Sequence, residues 1–117
     1  VIQGNTKSYD GATQVRATFY CQVLDLPSGY YDLNGGLYDE NGHLVSLMFG
    51  CSHHDTSGHL DWTMTGSIFF TPPAGSHTYA IKAYRSPGSP VSPGAIIAAD
   101  VLGGPDFAPA YLLIDTL

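Results

Sequence analysis

Apolar and polar residues alternate along much of the chain at a period of two, the mark of strands buried on one face. Over Thr13–Leu24, Val15, Ala17, Phe19, Cys21 and Val23 fall on one side and Gln14, Arg16, Thr18, Tyr20 and Gln22 on the other. Trp62, Met64, Gly66, Ile68 and Phe70 alternate likewise with Thr63, Thr65, Ser67, Phe69 and Thr71. Pro72-Pro73-Ala74-Gly75 breaks that run, because two amide donors are missing and Gly75 permits a positive φ. From His77 the alternation resumes, with His77, Tyr79, Ile81 and Ala83 opposite Thr78, Ala80, Lys82 and Tyr84. The pattern predicts two antiparallel strands joined at a rigid corner.

Shorter signals surround this pair. Val1–Ala12 reads as an edge strand or arm with a turn at Tyr9-Asp10-Gly11, and Asp25–Gly29 ends the Thr13–Leu24 strand. Tyr30–Tyr38 and His43–Gly50 flank Asp39-Glu40-Asn41-Gly42, a hairpin signal that fits a two-residue turn or a four-residue loop ending in a left-handed glycine. Gly35-Gly36 predicts a bulge or a close crossing. Cys51–Asp61 reads as a polar loop, and Ser86–Gly94, with its three prolines, as a surface connector. Ala95–Val101 and Ala108–Leu117 are further strands, separated by a turn at Leu102–Asp106. The last places Ala110, Leu112 and Ile114 on one side. About eight short strands at this spacing predict a single all-β domain over residues 1–117, an antiparallel jelly-roll β-sandwich with no significant helix. An immunoglobulin-like sandwich is the rival, disfavoured because Trp62 follows both cysteines.

Composition narrows the function. The 117 residues can form one independent core. Only four side chains are basic against ten acidic ones, a net charge of −6, so there is no stripe to track nucleic-acid phosphates and no attraction to anionic lipid. No run is long enough to span a membrane as a helix, and no basic-then-apolar signal segment opens the sequence. Val1 fits either a removed initiator methionine or a boundary within a longer protein. Cys21 falls on the apolar side of its strand and reads as a buried free thiol, with a Cys21–Cys51 bridge as the alternative.

Several groups are chemically eligible. Tyr20, Phe69, Tyr84, Tyr111 and Leu113 fall on faces that alternation assigns to solvent, and such a set calls for cover by an oligomer interface. His53, His54 and His59, with Asp55 and Asp61, are the densest set of metal donors, yet their spacing matches no metal motif, and no cofactor is expected. A hydrolase built on these histidines with Ser52 or Ser57 lacks a nucleophile elbow, so the chain is read as a non-enzyme. Tyr30 and Tyr31, after the Pro-Ser-Gly turn, are candidates to stack on a sugar, whereas Trp62 shares the core parity of Ile68.

Three segments carry a family resemblance: Thr13-Gln14-Val15-Arg16-Ala17-Thr18-Phe19-Tyr20, the corner TPPAGSHTYAIKAYR over Thr71–Arg85, and Pro109-Ala110-Tyr111-Leu112-Leu113-Ile114. Together they resemble the C-terminal jelly-roll domains of structural proteins in tailed bacteriophages, particularly those of actinobacterial hosts. The resemblance implies a virion component, a homotrimer in a tail fibre, tail tip or capsid decoration. It also implies contacts with other virion proteins and host recognition through surface glycans. Leu113 departs from that pattern, which often has a polar or basic residue there, and this hints at a covered face. A carbohydrate-binding module of a secreted bacterial protein and a trimeric ligand of the tumour-necrosis-factor or C1q type are the alternatives.

Overall fold

The computed structural model describes the backbone of residues 2–25, 29–55, 59–86, 96–97 and 110–117, and side chains within 2–21, 32, 34–50, 64–83 and 110–117. Among these residues there are ten strands and no helix: β1 (Ile2–Gln3), β2 (Lys7–Tyr9), β3 (Val15–Asp25), β4 (Gly29–Tyr38), β5 (Leu44–Asp55), β6 (His59–Phe70), β7 (Gly75–His77), β8 (Ala80–Ser86), β9 (Ile96–Ile97) and β10 (Tyr111–Thr116). One sheet has the order β1-β8-β4-β5 and the other β10-β3-β6, with β9 also on β3; β2 and β7 form a separate ribbon. All the pairings are antiparallel. The expected antiparallel all-β sandwich is therefore what this sequence forms.

Alternation decides which face each strand buries. In the β10-β3-β6 sheet, the rows Leu112–Phe19–Gly66, Ile114–Ala17–Ile68 and Thr116–Val15–Phe70 lie side by side. They face the other sheet, and Val15, Ala17, Phe19 and Cys21 are at most 1% exposed. Leu37 and Ile81 meet them from β4 and β8, and Tyr79 closes one end of the same cluster. Cys21 is a free thiol, pushed up to about 11 by burial.

Two phenylalanines join the layers. Phe19 and Phe49 stack with centroids 5.2 Å apart and planes inclined at 29°. Each ring lies over a glycine on a neighbouring strand, Phe19 over its cross-strand partner Gly66 and Phe49 over its partner Gly35. A methyl group on Gly66 would sit 2.8 Å from Phe19 Cε1 and 2.9 Å from the Met48 carbonyl oxygen. Aromatic cover of a strand glycine of this kind also fixes register.

Turn chemistry matches the sequence. The longer hairpin alternative holds: Gly42 takes φ 82°, while the Asp39 carboxylate accepts hydrogen bonds from the backbone of Asn41 at 2.9 Å and His43 at 2.8 Å. The ladder shifts register at Gly35/Gly36, as the glycine pair predicts, and again at Leu37/Tyr38. Asp10 caps the turn after β2 through the Thr13 hydroxyl and the Thr13 and Ala12 amides, bonds that lower its carboxyl to about 2.

Two expectations are corrected. Trp62–Arg85 is not a paired hairpin: β6 pairs with β3 and β8 with β4 and β1, so the proline corner carries the chain from one sheet to the other. Without donors at Pro72 and Pro73 the β6 ladder cannot continue round the corner, and the chain instead enters β7, which pairs with β2. The described part of the Cys51–Asp61 segment is strand and not loop, and residues 56–58 lie outside the described residues. Its backbone continues β5 as far as Asp55, paired with β4 down to Gly29↔Asp55, and β6 starts at His59. Polar composition misled here because backbone pairing to a neighbouring strand does not require apolar side chains. The Val1–Ala12 expectation holds in its edge form, since β1 borders one sheet and β2 belongs to the ribbon.

Candidate interaction surface

The outward rows of the β10-β3-β6 sheet are Tyr111–Tyr20–Thr65, Leu113–Thr18–Ser67 and Asp115–Arg16–Phe69. Four of the five residues expected at an interface thus share one face. Phe69 is 57% exposed, Leu113 48% and Tyr111 47%. Tyr20 and Tyr111 stack with centroids 5.7 Å apart and planes at 17°, making a flat shelf at one end. Phe69 marks the other end.

Polar groups on this face are already paired among themselves. Thr18 and Ser67 hydroxyls lie 3.3 Å apart, and Thr65 donates to the Phe19 carbonyl at 3.0 Å. Arg16 and Asp115 stand 3.6 Å apart; exposed pairs of this sort add little stability, but this one leaves the face electrically neutral. The result is a neutral, part-aromatic surface on which the Thr18, Thr65, Ser67, Arg16 and Asp115 side chains are already engaged. Tyr84 is placed elsewhere: its backbone lies on β8, opposite Asn34 in the other sheet, and its side chain is outside the described residues.

The other candidate residues lie where only the backbone is described. Tyr30 pairs with His54, Tyr31 with His53, and His59 with Asp25. The side chains of Tyr30, Tyr31, His53, His54 and His59 are outside the described residues. Among the described residues no group of three or more His, Cys, Asp or Glu side chains is placed to hold a metal ion.

Sequence reasoning missed two features. The first is a second apolar patch on β5, where Leu44 is 49%, Val45 37% and Leu47 56% exposed. Its signal is the adjacent Leu44-Val45 and the run Leu47-Met48-Phe49, which break a period of two and accompany the register shifts. The second is a polar–aromatic cluster at the corner. His77 Nδ1 lies 2.8 Å from Glu40 Oε1, linking β7 to the β4–β5 hairpin, and its ring packs near Tyr9 and Tyr79. The neighbouring Asp39 holds His43 at 3.1 Å. A cleft of about 280 Å³ beside this cluster is lined by Gln3, Asp39, Glu40, Thr78, Ala80 and Lys82. Its carboxylates are already engaged by the hairpin and by His77.

The His77–Glu40 contact makes stability depend on pH. Glu40 is held below its ordinary range by its own backbone N–H and by the His77 ring, and His77 is raised chiefly by its hydrogen bond to Glu40. The histidine contribution is complete below its unfolded pKa, about 6.5, and is lost as pH rises through the raised folded value. The glutamate contribution is complete above its unfolded pKa, about 4.3, and is lost as pH falls through the lowered folded value. Native stability minus that of His77→Gln should therefore peak between about pH 4.3 and 6.5 and shrink on either side. Urea unfolding across pH 3–9 reads this directly, and a difference independent of pH would remove the contact from the account.

Comparison with known proteins gives no matching family model, no matching curated protein and no matching solved structure.

Proposed function

We propose that this β-sandwich is a non-enzymatic structural domain of a tailed-phage virion. In this reading it assembles as a homotrimer through the outer face of the β10-β3-β6 sheet. The observation that carries the reading is the gathering of Tyr20, Phe69, Tyr111 and Leu113 on three adjacent strands of one neutral face. Large apolar groups set together on the wet side of a sheet are stabilised by a partner surface. The corner segment Thr71–Arg85 and the terminal Pro109–Ile114 segment supply the virion part of the reading, by their resemblance to phage jelly-roll domains. Location in tail or capsid, contact with other virion proteins and adhesion to a host-surface glycan follow from that resemblance.

Light scattering with size-exclusion chromatography tests the assembly. The native chain should elute with the mass of three copies, and Leu113→Asp, which places a charge in the middle of the face, should weaken association at least tenfold. The melting temperature of the separated chain should stay within a few degrees of the native protomer, because Leu113 is exposed. A native chain that remains a single copy at 200 μM would overturn the reading.

A further inference from the structure

Two Asn-Gly dipeptides occur in one hairpin, Asn34-Gly35 and Asn41-Gly42. Such a pair is chemically labile, because glycine has no side chain to shield its nitrogen from the asparagine side-chain carbonyl carbon. As sequence the two are equivalent. The fold separates them.

Asn34-Gly35 lies inside β4, which has a neighbour on each side. Asn34 is opposite Gly50 of β5 and Tyr84 of β8, and Gly35 is opposite Phe49 and Ala83. The Asn34 side chain lies over Gly50, where a methyl group would stand 2.8 Å from Oδ1. Gly35 is buried beneath the Phe49 ring. Closing a ring between Asn34 and Gly35 therefore requires β4 to leave both ladders.

Asn41-Gly42 is at the tip of the β4–β5 hairpin. Both residues are exposed, and a β-carbon on Gly42 would meet nothing within 4 Å. The Gly42 amide donates to the Asp39 carbonyl at 3.1 Å, a bond of the turn and no part of a ladder. Opening it leaves the closing bond of the hairpin, from the Asp39 amide to the His43 carbonyl at 3.0 Å, in place.

We propose that Asn41 is a site of spontaneous deamidation, and that the fold withholds Asn34 from the same reaction. The proposal is independent of what covers the outer face of the β10-β3-β6 sheet.

The reaction needs only water. The Gly42 amide gives its proton to a solvent base, and its nitrogen bonds to Asn41 Cγ. The Cγ–Nδ2 bond breaks, and the nitrogen takes a proton from solvent and leaves as ammonia. A five-membered succinimide remains, and water adds to one of its two carbonyls. Opening at one gives aspartate; opening at the other gives isoaspartate, whose main chain is one methylene longer. Nothing is oxidised or reduced.

The difference in rate follows from the opening that each site needs. A loop tip opens at almost no cost, whereas a central strand opens at a cost approaching that of global unfolding. At ordinary domain stabilities that cost slows reaction at Asn34 by about a thousandfold or more. The product is placed where it matters to the turn. The Asp39 carboxylate accepts from the Asn41 and His43 amides at 2.9 and 2.8 Å, and an added carboxylate and methylene fall between those two amides.

Incubation of the native chain at mildly alkaline pH, with each dipeptide followed by peptide mass spectrometry, tests the proposal. Asn41 should gain the mass of an amide exchanged for an acid, at least a hundredfold faster than Asn34. In urea the two rates should converge to within a few-fold. The product adds one negative charge to the net −6, so ion exchange separates it from the native chain. Asn41→Gln, whose longer amide closes a six-membered ring far more slowly, should abolish that acidic species. Asn41 remaining intact while the urea-unfolded chain reacts overturns the proposal. So does Asn34 reacting as fast as Asn41 in the native chain, a rate ratio unchanged by urea, or an acidic species that persists in Asn41→Gln.

Discussion

Phe19→Ala is expected to destabilise the fold by about 3–5 kcal/mol, the range for truncating a fully buried aromatic residue. Phe19 has no exposed surface, and the floor beneath it is Gly66, which has no side chain to move into the vacated space. Above it, Phe49 loses the ring it stacks on at 5.2 Å. The cavity therefore opens between the two layers, where neither sheet can close it without shifting the ladder that holds Phe19 opposite Gly66. For a chain of this size the melting temperature should fall by about 10–25 °C. Differential scanning calorimetry reads the change, and a loss under 1 kcal/mol would mean that the ring pair does not join the sheets.

Gly35→Ala should cost nearly as much, for the opposite reason. A methyl group there would strike Phe49 Cε1 and Cζ, so the ring must leave its place over the glycine. Overpacking costs about 1–3 kcal/mol, and a disrupted aromatic pair adds about 0.5–1.5 kcal/mol. The double variant Gly35→Ala/Phe49→Ala distinguishes this mechanism from a general intolerance of β-carbons in β4. With the ring gone, the added methyl group has nothing to strike, and the double variant should be more stable than the sum of the two losses by at least 1 kcal/mol. Strict additivity would sink the explanation. Gly42 is the control, because a β-carbon there meets nothing within 4 Å and is opposed only by φ 82°.

The same two phenylalanines show how much of the fold the sequence made legible. Alternation placed Val15, Ala17, Phe19 and Cys21 on the buried side, because a strand covered on one face leaves each side chain only two directions. Gly35-Gly36 marked a bulge, since nothing else in that run relieves the backbone there. Partner choice was the illegible part. Alternation says which way a side chain points and nothing about which strand lies beside it, so two consecutive alternating runs read as a hairpin, although their chain passes from one sheet to the other at Pro72-Pro73. The continuation of β5 through Ser52 and His53 was hidden for a related reason: pairing with β4 is a backbone property.

The apolar outer face of the β10-β3-β6 sheet was more legible than the fold around it. Tyr20, Phe69, Tyr111 and Leu113 could be assigned to outward parity strand by strand, and they meet because β10, β3 and β6 are neighbours. The exposed apolar patch on β5 was not legible, because register shifts at Gly35/Gly36 and Leu37/Tyr38 upset the parity count in that hairpin. His77 and Glu40 are 37 residues apart in the chain, and only the corner brings them together.

The order of the strands also sets the order in which the protein can be finished. β3 is central in its sheet, yet both of its long neighbours come later in the chain. The Thr65 hydroxyl that meets the Phe19 carbonyl is 46 residues further on, and Lys7 reaches the Ile114 carbonyl across 107 residues. At a synthesis rate of about 5–20 residues per second, a chain emerging from a ribosome holds β3, whose Val15, Ala17, Phe19 and Cys21 are the most deeply buried row of the core, without its last neighbour for about 5–20 s. During that interval Val15, Ala17, Phe19 and Cys21 form a sticky edge whose interior break is the charge of Arg16. Nascent chains stalled before β10 should therefore be the chaperone-dependent, aggregation-prone species of this protein, and the six residues of β10 the point in synthesis at which that dependence ends.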